Sequence, residues 1–106
     1  MRLIDNLECI LVKGQDSALL RYGLGGEYLK QKQFDKAALH LRKAVELDPE
    51  YSAAWKLLGQ ALVFGDHLPE AAEVYTRGIE VAERKGDIQA AKEMRVFVRR
   101  IGKSQG

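Results

Sequence analysis

The sequence predicts an all-α fold in which antiparallel helical hairpins stack into a short superhelix, closed by a capping helix at each end. Three observations lead there. Two stretches align on each other at an offset of 34 residues: Leu24, Gly25 and Tyr28 fall on Leu58, Gly59 and Leu62, and Ala37, Leu41 and Ala44 on Ala71, Tyr75 and Gly78. A period of this length marks a chain made of supersecondary units that bury their apolar faces against one another. The matched residues are small or apolar, as close helix packing demands. No run of alternating β-branched residues suggests a strand.

Taken in order, residues 1–15 read as a lone second helix of a hairpin. Shifting back by 34 residues places Ala37, Leu41 and Ala44 over Leu3, Leu7 and Ile10, which with Leu11 recur at helical spacing. Lys13-Gly14 ends this capping helix, and Asp16-Ser17 starts the next. Residues 18–51 form the first full hairpin and 52–85 the second. In these hairpins the pairs Gly25/Ala37 and Gly59/Ala71 are where near-absent side chains let two axes approach. Asp35 is expected to cap the second helix of the first hairpin, and Pro69 suits the first turn of its counterpart. Asp48-Pro49 stops a helix because the residue before proline is pushed out of the α region, and Gly65-Asp66 marks a bend. After Gly86-Asp87 a C-terminal capping helix over 86–102 sets Ala91, Met94, Val98 and Ile101 on one face. The strict 34-residue register would put Gln89, Lys92 and Glu93 in the core, so the turn before this helix is expected to be about two residues longer. Residues 103–106 are expected to be a frayed tail.

The order Trp55-x-x-Leu58-Gly59-x-x-Leu62, followed by Ala71-x-x-x-Tyr75, resembles the tetratricopeptide repeat (TPR). The first copy has Leu24-Gly25-x-x-Tyr28, Ala37-x-x-x-Leu41, Ala44 and a closing Asp48-Pro49, with Arg21 where the Trp would stand. In the second copy Gly78 and Glu83 replace the family's Ala and Pro. The resemblance covers roughly residues 18–85 and implies a short TPR superhelix of small stand-alone type. It also implies a non-enzymatic protein–protein interaction module, an adaptor or scaffold that holds a peptide or partner helix in the groove lined by the first helices of its hairpins. Mapped onto this chain, the groove residues are Tyr22, Gly26, Leu29 and Lys30 from the first copy and Lys56, Gln60, Val63 and Phe64 from the second. An aromatic and aliphatic floor with two lysines suits a ligand with apolar and acidic groups. The alternative is that Tyr22, Leu29 and Phe64 are core residues. A subset of the family clamps the terminal carboxylate of chaperone tails with Lys and Asn, but Tyr22, Gly26 and Leu57 hold those places here, so the clamp is not reproduced.

Composition is consistent with one small helical domain. At 106 residues and 46% hydrophobic the chain can bury one elongated core, and with only two full repeats the capping helices become necessary to it. Asp5 and Glu8 interrupt the apolar stretch near the N-terminus, and no apolar run approaches the roughly 18–20 residues of a spanning helix. The single Cys9 has no internal disulfide partner, which favours a reduced, cytoplasmic setting without membrane attachment. Catalytic and metal constellations are missing: His40 and His67 read as helix-surface or turn residues without neighbouring ligands, and no cofactor is implied. Gly23-x-Gly25-Gly26 follows no strand and lacks the Gly-Lys-Ser/Thr ending of a phosphate loop, and Glu80 and Glu83 read as a solvated face.

Charge is divided unevenly. Residues 84–106 hold seven basic residues (Arg84, Lys85, Lys92, Arg95, Arg99, Arg100, Lys103) against Asp87 and Glu93, whereas residues 1–83 hold ten basic and thirteen acidic. A basic last helix could meet an acidic partner or nucleic acid, although Phe97 is its only aromatic, which disfavours nucleic acid. A third reading is a homodimer, should Phe64, Met94, Phe97 and Val98 form one exposed patch.

Overall fold

Six α-helices account for nearly all of residues 3–105, the part of the chain that the computed structural model describes. They are α1 (Leu3–Val12), α2 (Ala18–Lys30), α3 (Phe34–Leu47), α4 (Ser52–Phe64), α5 (Leu68–Lys85) and α6 (Ile88–Gln105). Punctuation follows residue chemistry. Ser17 N-caps α2, its side chain accepting a hydrogen bond from the backbone N–H of Leu20 at 3.0 Å. Pro69 lies in the first turn of α5, where a missing N–H costs nothing. Gly86 closes α5 in the left-handed region, with φ of 79°. Asp35 does not cap α3. That position belongs to Gln33, which makes no side-chain cap bond, and Asp35 instead adds negative charge to the first turn, where the helix dipole favours it.

Helices α2 and α3 form one hairpin, α4 and α5 the next, and α6 packs on α5 and α4. The backbones of α2 and α4 approach each other, as do those of α4 and α6, whereas α3 and α5 stay apart. The first helices therefore close ranks on one side while the second helices splay, so α2, α4 and α6 carry the inner face of a curved stack 43 Å long. None of the described helices is long and apolar enough to cross a membrane.

Small residues set the hairpin spacing. A Cβ on Gly25 would lie 2.4 Å from Leu41 Cγ, and one on Gly59 would lie 2.3 Å from Tyr75 Cε1. These glycines thus face the bulky residue one turn beyond Ala37 and Ala71, and larger side chains would overpack each hairpin by about 1–3 kcal/mol. Gly78 serves the same end between α5 and α6, where a Cβ would meet Met94 Sδ at 2.6 Å and Trp55 Cβ at 2.8 Å.

Three expectations about the ends are revised. In α1 the buried residue is Ile4, with Leu7 and Leu11 partly covered, while Leu3 and Ile10 are exposed. Among the described residues α1 packs on α2 and turns a narrower stripe to it. The extra length before α6 lies elsewhere than expected: α5 runs four residues longer than α3, and the following turn is two residues shorter than the one after α3. First helices consequently begin at residues 18, 52 and 88. Residues 103–105 are helical, since α6 continues past Ile101, whose burial anchors its last turns; Gly106 lies outside the described residues.

Candidate functional site

The inner face presents a shallow groove along α2 and the end of α4. At one end Tyr22 stacks on Tyr51, with ring centroids 4.8 Å apart. Beyond it a cavity of about 340 Å³ is lined by Tyr22, Gly26, Leu29, Lys30 and Leu57, among others. Leu29 and Lys30 also border a second, more apolar cavity of about 480 Å³, completed by Lys32, Phe34 and Phe64. Phe64 is 61% exposed and its ring sits 5.4 Å from that of Phe34. Gly26 leaves the floor open, because a Cβ there would meet only Leu57 Cδ1, at 3.9 Å.

Five of the eight expected groove residues, Tyr22, Gly26, Leu29, Lys30 and Phe64, line this pair of cavities. Lys56, Gln60 and Val63 do not. Lys56 Nζ donates to Glu93 Oε2 of α6 at 2.8 Å, Val63 packs against the core, and Gln60 is half-buried. Lys30 is held by Glu27 at 3.1 Å, so both lysines of the expected floor have a carboxylate partner. Sequence reasoning passed over Tyr51, Lys32 and Phe34. They belong to turns and a helix start, outside the first-helix positions, and Lys32 takes a left-handed backbone with φ of 60° in the three-residue turn between α2 and α3.

On the opposite side a cavity of about 520 Å³ opens between α3 and α5. Its polar lining is largely self-neutralised, with Arg42 paired to Glu70 and Lys43 to Glu46. Its lining is more polar than that of the cavity beside Phe64.

The histidines are not alike. His67 is exposed, with Nε2 3.5 Å from Asp35. His40 is buried, contrary to the surface position expected for it, and stacks on Tyr28 at 5.4 Å. Arg21 explains the burial. Its guanidinium forks onto Asp16 at 2.9 and 3.1 Å and donates to His40 Nδ1 at 3.0 Å. Burial, and then the Arg21 charge, hold the His40 pKa below its ordinary value, so the ring stays neutral and Nδ1 accepts. Glu8 of α1 faces the other ring nitrogen at 3.9 Å and accepts a 2.6 Å bond from Tyr28 Oη. Among the described residues no group of His, Cys, Asp and Glu side chains has a metal-binding arrangement.

Phe64, Met94, Phe97 and Val98 form no shared patch. Met94 is fully buried, Phe97 stacks on Tyr75 at 5.3 Å, and Phe64 lies in the inner groove.

Comparison with known proteins agrees with this architecture. A family profile described as tetratricopeptide repeat matches residues 28–94. The TPR repeat-containing protein PA0015 of Pseudomonas aeruginosa is 46% identical over 103 residues, covering 97% of this chain and 98% of that protein. The solution structure of protein BPP2914 from Bordetella parapertussis aligns with a TM-score of 0.84 at 39% identity, over 98% of this chain and 90% of the other. A tetratricopeptide repeat domain protein from Salinibacter ruber, seen in a crystal structure, aligns with a TM-score of 0.74 at 28% identity, over 81% of this chain and 97% of the other.

Proposed function

Because this chain belongs to the tetratricopeptide repeat family, a family of protein–protein interaction scaffolds that are generally non-enzymatic, we propose that it binds an extended peptide or partner helix in the groove along α2 and the end of α4. The observation that carries this reading is the exposed Phe64 beside Phe34 and Leu29, an apolar opening with Lys30 and Lys32 at its rim. An aromatic or aliphatic side chain fits the opening, and Lys32 at the rim suits a flanking carboxylate. Tyr22 and Gly26 extend the contact towards the first turn of α2. The ligand is a protein segment, and the module acts as an adaptor in the cytoplasm.

Peptide display on the intact chain, followed by titration of the selected peptides, tests this. Phe64→Ala and Tyr22→Ala should each weaken binding about tenfold, roughly 1.4 kcal/mol, while Glu73→Ala on the outer face leaves it unchanged. Phe64 is exposed enough that its loss spares the fold. Equal affinity across all four proteins would place the contact elsewhere.

A further inference from the structure

Helix α6 stands where a third repeat would begin, and the surface it leaves open differs from the one its predecessors cover. Beginning 36 residues after α4, it places Ile88, Lys92, Arg95 and Arg99 at the positions of Ser52, Lys56, Gly59 and Val63. In α4 that face is occupied: Ser52 bonds Asp87, Lys56 bonds Glu93, and Gly59 receives the Tyr75 ring. In α6 it is bare. Ile88 is 65% exposed, and Lys92, Arg95, Arg99 and Lys103 all face solvent. Arg95 replaces the glycine that lets the second helix of a hairpin approach closely, so a further helix cannot seat there as α5 seats on α4.

The charge on this face is not explained by the helix itself. Only Lys103 lies in the last turn, where the dipole favours a cation. Arg95 meets Glu83 of α5, but Lys92, Arg99 and Lys103 have no ion pair among the described residues. Glu93, an acidic residue of α6, is turned to Lys56. Lys92, Arg99 and Lys103 recur at seven and four residues, a ladder about 16 Å long at 1.5 Å per residue. Ile88 and Val96 fall within the same stripe.

We propose that this outward face of α6 docks an acidic amphipathic helix of a partner protein, at a site separate from the inner groove. Carboxylates spaced four and seven residues apart on such a helix match the cation ladder, and its apolar edge covers Ile88 and Val96. Single-stranded nucleic acid fits less well, because the stripe has no aromatic on which a base could stack, and the phosphate backbone of a duplex offers nothing apolar to cover Ile88 and Val96. A second copy is also a poor match through its open N-terminal helix, where Asp5 is the exposed acid.

The test is a titration of the isotope-labelled intact chain with a helical peptide of Glu, Leu and Ala whose glutamates recur at those spacings. A scrambled peptide of equal composition and a short DNA duplex serve as competing probes. The expected result is amide shifts confined to α6, with affinity lowered at least tenfold by Arg99→Glu with Lys103→Glu and unaffected by Phe64→Ala. Shifts along α2 and α4 would overturn the proposal, as would equal binding of the scrambled peptide, tighter binding of the duplex, or a concentration-dependent dimer that buries α6.

Discussion

The two ends of the stack are closed by different physics. At the C-terminal end α6 buries Ala90, Ala91, Met94 and Ile101 and is latched by three polar contacts: Ser52 to Asp87, Lys56 to Glu93 and Arg95 to Glu83. At the N-terminal end the ten-residue α1 buries Ile4 alone and leaves Leu3, Ile10 and Val12 exposed. It is held by the junction of Glu8, Tyr28 and His40. A long cap keyed into the core belongs to the cooperative unit, whereas a short one held at its edge can open by itself.

The widest separation between the ends should come from truncating a large buried side chain of each. Met94→Ala is expected to cost about 2–5 kcal/mol of global stability, because Met94 fills the gap beside Gly78 and Trp55 and leaves a cavity. Ile4→Ala should raise amide exchange in α1 while moving the midpoint of denaturation much less. Equal loss from both substitutions would show that α1 is as integral as α6. A smaller effect, about 1 kcal/mol, is expected for Tyr28→Phe, which removes the hydroxyl bonded to Glu8. It should be visible as faster exchange in α1 with α6 unchanged.

Acid should separate the ends without mutation. His40 is held below its ordinary pKa, so the unfolded chain takes up that proton first, and stability at the α1 junction falls as pH drops below about 6.5. Asp87 and Glu93 are also held low, by the hydrogen bonds from Ser52 and Lys56 respectively. Their contribution is complete above the ordinary carboxylate range and is lost only below about pH 4, as pH falls through the folded values. Amide shifts followed from pH 7 to 3 should therefore report α1 before α6. Simultaneous loss would contradict the assignment.

Much of this was legible before any coordinates. The 34-residue offset, Pro69 and the glycines each record a steric demand that one residue type meets, so they point to one arrangement. The ends were harder to read because their determinants are relational. The 36-residue step to α6 could be inferred from polar residues in core positions, but whether a helix or a turn absorbed it depends on Gly86 taking up the left-handed cap. His40 looked like a surface residue because its partner is Arg21, the very position where the repeat lacks its tryptophan. Trp55 and Arg21 turn out to act alike: the indole N–H reaches back to Pro49 O at 2.8 Å, and the guanidinium reaches back to Asp16. Each side chain ties its helix to the loop before it. In the groove, the first-helix residues were readable from the repeat, while Phe34 and Tyr51 enter from neighbouring elements that a one-helix projection omits.

The backbone of each helix touches only helices one or two places away along the chain. Structure of that kind requires little loop closure before contacts form, so folding should be fast for a chain of this size and should start wherever a hairpin first closes. Either hairpin, α2 with α3 or α4 with α5, can serve as that start, since each has its own glycine contact, and α1, with Ile4 alone buried, should join last.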